Sequence, residues 1–202
     1  LAAAAEAIDD NTLLVSVQAA NNEIGTIQPV AAIAALAHAH GARIHCDAAQ
    51  AVGKMAVDVV ALDVDLLSAS GHKLYGPKGI GLLYVRGGPH RLSLEPVSLG
   101  GGQEAGLRAG TSNVPGIVGF GEACSLAKEM LQEEGARQAA LRDRLEEMLI
   151  EGVPELVING RSAARLPNTS SLTFPSADAD APNFSTAAVA SATPRGCAAK
   201  PR

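Results

Sequence analysis

The chain has 202 residues and a formal net charge of −5, and 47% of its residues are hydrophobic although only 2% are aromatic. This length suits one domain or slightly more, and a core built from Ala, Val, Leu and Ile favours helices packed on an aliphatic sheet. The acidic balance argues against nucleic acid and anionic membrane surfaces as partners, and no apolar run reaches the ~20 residues of a membrane span.

Strands and helices alternate along the first half of the predicted structure. A helix end over residues 1–8 is followed by a strand, a helix over 29–40 and three further strands. The four predicted strands are residues 12–17, 43–46, 64–69 and 79–86. This alternation predicts an α/β fold with a mostly parallel sheet.

The second half is predicted to contain a Gly-rich loop over residues 100–113, a long helix over 114–150 and two short strands, 156–158 and 170–174. These elements indicate a second, smaller α+β unit. The charged stretch 132–147 inside the helix is typical of a solvated helix face. Residues 176–202 are rich in Ala, Ser, Thr and Pro and are predicted to form a disordered or loosely packed tail.

Polar side chains collect where three consecutive predicted strands end. The clusters are Asn22, Asp47 with Gln50, and the run Ser70-Gly71-His72-Lys73. In an open parallel sheet, ligands bind outside the carboxyl ends of the strands. The sequence therefore predicts a site at this edge, although each cluster alone has a structural explanation, such as a helix cap at Asp47.

Lys73 is the candidate for covalent chemistry. It stands among glycines at the end of a buried strand, so we expect partial desolvation, which favours the neutral amine that forms an imine with an aldehyde. The alternative is a phosphate-binding lysine, but the P-loop pattern is absent. Asp47 suits a protonated pyridine nitrogen, because an Asp faces that nitrogen in pyridoxal phosphate (PLP) enzymes. If a helix starts at Asp47, Gln50 lies one turn further on, and we then expect it to reach the ring's phenolic oxygen.

Five sequence segments together resemble one family, the cysteine desulfurases of the NifS and IscS kind within the class V aminotransferases. The resemblance covers about residues 11–174 and is carried by NNEIG (21–25), HCDAAQ (45–50), SGHKLYGPKG (70–79), GGGQE (100–104) and RAGT (108–111). It implies the PLP-dependent transferase fold type I. Residues 1–120 would be part of the PLP-binding large domain, 121–175 the connecting helix and the start of the small domain, and 176–202 an atypical tail.

The resemblance also implies a role for each matching residue. Lys73 matches the lysine that binds PLP covalently, and Asp47 matches the partner of the pyridine nitrogen. Gln50 and Asn22 match contacts of the cofactor oxygen. The remaining implied contacts are to phosphate, from Ser70 and His72 in the same subunit and from Thr111 to the neighbouring subunit's cofactor, which implies a homodimer.

The activity implied by the resemblance is conversion of L-cysteine to L-alanine, with the sulfur passed as an enzyme persulfide to an acceptor or scaffold protein for iron–sulfur cluster or thiocofactor assembly. Two alternatives stay open. One is a selenocysteine lyase or another class V aminotransferase, and the other is a truncated, non-catalytic remnant that binds a partner.

Several parts of the family pattern have no counterpart in this sequence. The ring-stacking His and a phosphate-binding pair would precede Leu1, and the family's cysteine loop and substrate-binding Arg are not found after Pro175. We therefore expect a fragment of a longer protein, without desulfurase turnover of its own.

The three cysteines contain no CxxC pair, which excludes a disulfide framework and a cysteine-rich zinc site; no metal site is predicted. Their sparse number favours a reducing, cytoplasmic location. Cys46 and Cys124 are predicted to be buried packing residues. Cys197 lies near the position of the family's catalytic cysteine, but its neighbours do not match, and we assign it no role.

Overall fold

A computed structural model describes residues 1–153 and 155–175 of the chain. It contains two sheets, three α-helices and two short 3-10 turns, Gly71–Leu74 and Glu104–Gly106, within these residues. In chain order, the helices and strands are α1 (Ala2–Ala7), β1 (Leu14–Gln18), α2 (Val30–Ala39), β2 (Arg43–Asp47), β3 (Leu66–Ser70), β4 (Gly81–Val85), α3 (Val114–Gly152), β5 (Val157–Ile158) and β6 (Leu172–Thr173).

The main sheet has the order β1-β2-β3-β4, with the first three strands parallel and β4 antiparallel to β3. The predicted mostly parallel α/β sheet is confirmed. Each predicted strand of this sheet is present, with bounds that differ from the prediction by one or two residues at its ends. At the carboxyl ends of the parallel strands, Gln18 is paired with Asp47, and Asp47 with Ser68. This register brings the segments that follow β1, β2 and β3 to one edge of the sheet.

One face of the sheet carries the core. In β2, Ile44 and Cys46 are fully buried while Arg43 points to the other face and is exposed, the alternation that a strand covered on one side requires. Ala34 and Ala37 of α2 are also fully buried, because their small side chains let the helix backbone approach the sheet closely. No helix within the described residues is long and apolar enough to cross a membrane.

The helix α3 begins at a cap that the sequence provides. The Asn113 side-chain oxygen accepts a hydrogen bond from the Gly116 amide at 3.2 Å, and Pro115 occupies the first turn, where an amide hydrogen is not needed. Phe120 is buried in the core cluster beside the sheet. The amino-terminal part of α3 is thereby fixed against the main sheet.

The charged part of α3 is not uniformly solvated, so that prediction is wrong at Glu146. This carboxylate is buried, and it accepts two hydrogen bonds from the Arg165 guanidinium, at 2.8 and 2.9 Å, and one from the Ser170 hydroxyl at 2.7 Å. Burial raises the pKa of Glu146, but the hydrogen bonds from Arg165 and Ser170 and the Arg165 charge outweigh it, leaving the pKa below its ordinary value. The pair ties the carboxyl-terminal part of α3 to the segment before β6.

Charged side chains also meet at the amino edge of the parallel strands, a group here called the amino-edge cluster. Its members are His38, Arg43, Asp63, Asp65 and Arg86. Asp65 is only 2% exposed, and its carboxylate accepts hydrogen bonds from the Ile44 amide and His38 Nε2, both at 3.0 Å. Arg86 bonds Asp63 at 2.6 Å, while the other ring nitrogen of His38 lies 3.2 Å from the same carboxylate. Each arginine and each aspartate in the cluster therefore has an oppositely charged partner.

The predicted boundaries at residues 120/121 and 175/176 are not tested by these features and stay a prediction. Residues 176–202, predicted as an atypical tail, lie outside the described residues, and Cys197 lies among them.

Candidate active site

The carboxyl edge of the parallel strands brings together six of the seven predicted site residues as neighbours along the sheet. Asn22 lies in the loop after β1, Asp47 ends β2 with Gln50 in the following turn, and Ser70 ends β3 just before the turn that carries His72 and Lys73. These six residues are called the carboxyl-edge cluster below. Because β1, β2 and β3 are adjacent and parallel, their ends meet here, as the polar clusters of the sequence predict.

Asp47 has one oxygen engaged and one available. Its Oδ1 accepts a hydrogen bond from the Ala49 amide at 2.9 Å, so the carboxylate does cap the turn after β2. No described donor bonds Oδ2, and the side chain is half-buried. The same carboxylate can hold the turn with one oxygen and face a cationic ring nitrogen with the other.

Gln50 is held by a residue that the sequence analysis did not select. Lys54 Nζ donates a 2.8 Å hydrogen bond to Gln50 Oε1, and both side chains are half-buried. Burial, and secondly the positive charge of Lys73, lower the pKa of Lys54. The sequence signal for this contact is the spacing of four residues between Gln50 and Lys54, which places them on one side of a helical turn.

Ser70 and His72 contact each other directly. The Ser70 hydroxyl lies 2.9 Å from His72 Nδ1, and the His72 ring is exposed. A hydroxyl and an imidazole held side by side at a strand end are suitable donors for an anionic group such as phosphate.

The turn that carries Lys73 is fixed by its backbone. The Gly71 amide bonds the Ile80 carbonyl and the Gly76 amide bonds the Gly71 carbonyl, each at 3.0 Å. A Cβ atom at Gly76 would lie 2.8 Å from the Gly71 carbonyl oxygen, so only glycine permits this approach. Pro77 in turn packs against Gly119 of α3.

The expectation that the flanking glycines desolvate Lys73 is wrong for the described residues, where its side chain is exposed. The glycines serve the close backbone approach within the turn and do not enclose the amine. Lys73 Nζ has no hydrogen-bond partner within residues 1–153 and 155–175, which leaves it available to a ligand.

Within the described residues, neither Asn22 nor Thr111, which lies outside the carboxyl-edge cluster, has a side-chain hydrogen bond to another member of that cluster. Both are exposed, and neither side chain hydrogen-bonds another predicted site residue. In the loop after β1, the neighbouring Asn21 has the structural role, because its Oδ1 accepts hydrogen bonds from the Glu23 and Ile24 amides at 2.9 Å. The Asn22 side chain, by contrast, has no hydrogen-bond partner in the part of the chain that the structure describes.

The loop that carries Thr111 is shaped by two other side chains. Arg108 Nη1 donates to the carbonyl oxygens of Gly110 and Thr111, at 3.0 and 3.2 Å, and Gln103 Oε1 accepts from the Gly110 amide at 3.1 Å. The predicted role of Thr111 toward a neighbouring subunit is not tested by this geometry and stays a prediction.

The two cysteines among the described residues are poor nucleophiles. Cys46 is fully buried, as predicted, and burial and then the Asp47 charge raise its pKa to about 11. Cys124 is half-buried, less than predicted, and burial raises its pKa as well. A thiolate nucleophile needs a lowered pKa, so neither thiol suits that role.

Comparison with known proteins gives this arrangement a family. Residues 1–187 match the family described as aminotransferase class-V, a range longer than the 11–174 covered by the sequence motifs. The chain belongs to the class-V aminotransferases. Among this family's curated members, it is 50% identical over 168 residues to a cysteine desulfurase of Gluconacetobacter diazotrophicus and 48% identical to the cysteine desulfurase IscS of Ehrlichia chaffeensis. These alignments cover 83% of this chain but only 41% of each relative, so the chain spans about two fifths of their length.

Solved structures of class-V aminotransferase relatives confirm the predicted type I transferase fold. A NifS-like protein superposes with a TM-score of 0.79 at 40% identity, covering 86% of this chain and 47% of the other. A NifS-like protein from Rickettsia africae gives 0.77 at 36% identity, covering 83% and 46%. The predicted family resemblance to cysteine desulfurases is likewise confirmed.

The donor set of this class-V aminotransferase chain fits a pyridoxal phosphate group. Such a group requires an amine for its aldehyde, a carboxylate for its ring nitrogen and donors for its phosphate. Lys73 has an unpaired amine, Asp47 has a free carboxylate oxygen, and the Ser70–His72 pair supplies the donors. The residues present therefore match the chemistry of the group on each of its sides.

Proposed function

We propose that this chain supplies cofactor-binding residues of a PLP-dependent cysteine desulfurase, as a portion of a longer enzyme or an incomplete copy of one. One observation carries the proposal: at one sheet edge, Asp47 with its free oxygen ends β2, and Lys73 with its unpaired amine lies in the turn after the adjacent parallel strand β3. The identity of about 50% to proteins named cysteine desulfurase supports the choice of reaction within the family.

In this proposal each residue holds one part of the cofactor. Lys73 would hold the cofactor through its aldehyde carbon, and its amine would carry a proton to or from the substrate carbon. Asp47 keeps the ring nitrogen protonated, so that the bound group can act as an electron sink. Asn22 and Gln50 contact the phenolic oxygen.

The phosphate is held from two sides. Ser70 and His72 bind it within one subunit, and Thr111 reaches the phosphate of the partner subunit's cofactor in a homodimer. Short hydroxyl and imidazole donors suit a phosphate dianion, because each contributes a directed hydrogen bond without filling the volume that the phosphate needs.

The substrate is L-cysteine, and the enzyme is cytoplasmic. A thiolate attacks the substrate sulfur, the carbon–sulfur bond breaks with its electron pair passing to the substrate carbon, and protonation there gives L-alanine. The sulfur, held as a persulfide, passes to an acceptor or scaffold protein for iron–sulfur cluster or thiocofactor assembly. The high pKa and burial of Cys46 exclude it as the thiolate carrier.

The experiment that tests the proposal identifies the lysine that PLP modifies. The full chain is incubated with PLP, reduced with borohydride and digested, and the pyridoxyl peptide is located by mass spectrometry. We expect the adduct on Lys73 and none in Lys73→Ala. The matched rivals are Lys54, which lies beside the site, and the exposed Lys78; an adduct on either of them in the wild-type chain would overturn the assignment.

The choice of substrate is tested separately. In the full-length homologous enzyme restored around this segment, release of sulfide from L-cysteine is compared with release of selenide from selenocysteine and with transamination of alanine. Preference for L-cysteine supports the desulfurase, whereas preference for selenocysteine or alanine would reassign the chain within the class-V aminotransferases.

A further inference from the structure

Lys54 and Lys73 are carried on segments that touch each other. Lys54 follows Gly53 in the turn after β2, and a Cβ atom at Gly53 would lie 3.1 Å from the Cβ atom of Leu74, the neighbour of Lys73. Gly53 has a φ of +78°, in the left-handed region that favours glycine, and its missing side chain allows the contact. The two lysines therefore belong to one corner of the sheet edge.

The contact between Lys54 and Gln50 fixes which end of the amide is free. A lysine ammonium group only donates hydrogen bonds, so the Gln50 oxygen must face it, as the 2.8 Å Nζ–Oε1 distance shows. The Gln50 NH2 group, on the other branch of the amide, donates to no acceptor within the described residues. Without Lys54, nothing described would distinguish the two orientations of this amide.

We propose that Lys54 is a positioning residue of the candidate site, which holds the Gln50 amide so that its NH2 group donates to the phenolic oxygen of PLP. The inference rests on the proposed function and adds to it a residue that does not itself touch the cofactor. The lowered pKa of Lys54, caused by burial and then by the Lys73 charge, supports its place inside the site instead of on the outer surface.

The test is a PLP titration of the full chain, followed by the visible absorbance of the lysine-bound cofactor. Lys54→Met keeps the aliphatic stem and removes the donor, and we expect about tenfold weaker PLP binding together with a displaced absorption maximum. Lys54→Arg retains a donor and is expected to restore both values. Lys78→Met, which removes an exposed lysine of the neighbouring turn, is the control for loss of positive charge.

Two further arms connect the effect to Gln50 and to the phenolic oxygen. In a Gln50→Leu background, Lys54→Met should cause no additional loss of PLP binding, because the amide that it orients is gone. With 3-deoxypyridoxal 5′-phosphate, which lacks the phenolic oxygen, wild type and Lys54→Met should bind equally. Thermal melting of each variant without cofactor separates loss of folding from loss of positioning.

The outcomes separate this inference from the proposed function. A saturable absorbance band in wild type that is unchanged in Lys54→Met would overturn the inference alone, as would an equal loss in the Gln50→Leu background or with the deoxy analogue. Absence of any Lys73-dependent band in wild type would overturn the proposed function, and the inference with it.

Discussion

The two edges of the parallel strands both carry charged and polar side chains, but these side chains are hydrogen-bonded to one another at the amino edge and partly without described partners at the carboxyl edge. At the amino edge, His38 and Asp65 are bonded to each other, and Asp65 also accepts from the buried Ile44 amide. At the carboxyl edge, Lys73 has no partner among the described residues and Asp47 has one oxygen unused. Charges that the fold satisfies internally stabilise the fold, whereas charges that it leaves unsatisfied are available to a ligand.

Removal of the buried carboxylate gives the sharpest test of this contrast. Asp65→Ala should lower the free energy of unfolding by about 4 kcal/mol, because it leaves the Ile44 amide and His38 Nε2 without their acceptor and removes the carboxylate that pairs with Arg43. Asp47→Ala removes only the hydrogen bond to Ala49 and should cost about 1 kcal/mol. Urea denaturation measures both, and equal losses at the two edges would contradict the comparison.

The Glu146–Arg165 pair, beside the second sheet, is another set of buried charges whose hydrogen bonds are satisfied within the fold. Arg165→Leu should lower the free energy of unfolding by about 3 kcal/mol, because a buried carboxylate loses both of its guanidinium hydrogen bonds. Arg137→Leu is the matched control, since Arg137 pairs with Glu134 on the exposed surface of the same helix and its loss should leave the free energy of unfolding nearly unchanged. If Arg165→Leu lowers the free energy of unfolding as little as Arg137→Leu does, the Glu146–Arg165 pair does not stabilise the fold.

The pH dependence of stability should originate in part at the amino edge. Burial raises the pKa of Asp65, but the hydrogen bonds from His38 and Ile44 and the charges of His38 and Arg43 leave it below the ordinary value of 3.8. A lowered folded-state pKa means that this stabilisation is present above about pH 4 and is lost as the pH falls further.

Urea midpoints measured from pH 6 to pH 2.5 should therefore fall less steeply for Asp65→Asn than for wild type. The variant lacks the group whose protonation opposes folding at low pH, although it is less stable at neutral pH. An unchanged slope in Asp65→Asn would assign the acid sensitivity to other carboxylates.

The smallest expected effect on stability is at the carboxyl edge of the parallel strands. Asp47→Asn keeps a side-chain oxygen for the Ala49 amide and should change the free energy of unfolding by less than about 0.5 kcal/mol. The same substitution should weaken PLP binding about tenfold or more, because it removes the charge that faces the ring nitrogen. A large loss of stability without a loss of PLP binding would show that Asp47 stabilises the fold and does not bind the cofactor.

Much of the architecture could be predicted because it is encoded locally. Apolar runs and their flanking turn residues locate β1 to β6, and polar residues at three strand ends locate the site edge. The exact strand bounds could not be predicted in this way, because they depend on pairing. Residues 12 and 13 belong to the apolar run of the first strand, but the ladder begins at Leu14 opposite Arg43.

The contacts that the sequence does not predict depend on how distant segments pack together in the folded chain. Asp65 and His38 are 27 positions apart, and Glu146 lies in a charged run whose composition alone predicts a solvated face. Lys54 is near Gln50 in sequence, but its importance follows from contact with the Lys73 turn, which only the packing at Gly53 reveals. The roles of Asn22 and Thr111 stay predictions, because no described contact tests them.

The helix α3 sets both the distance between its two anchor points and the direction in which its side chains point around the helix axis. It packs near Gly53 through Ala127 and reaches the Leu166 carbonyl through Arg142, fifteen residues or about 22 Å farther along its axis. Each residue advances the helical surface by about 100°, so one inserted residue between these anchors would turn Glu146 away from Arg165 while leaving the Lys73 turn in place. The register of α3 therefore decides whether Glu146 meets Arg165. The backbone hydrogen bonds from the Ile27 amide to the Ala164 carbonyl and from the Leu166 amide to the Gly25 carbonyl, each 2.8 Å, join the second sheet's segment to the loop after β1 independently of that register.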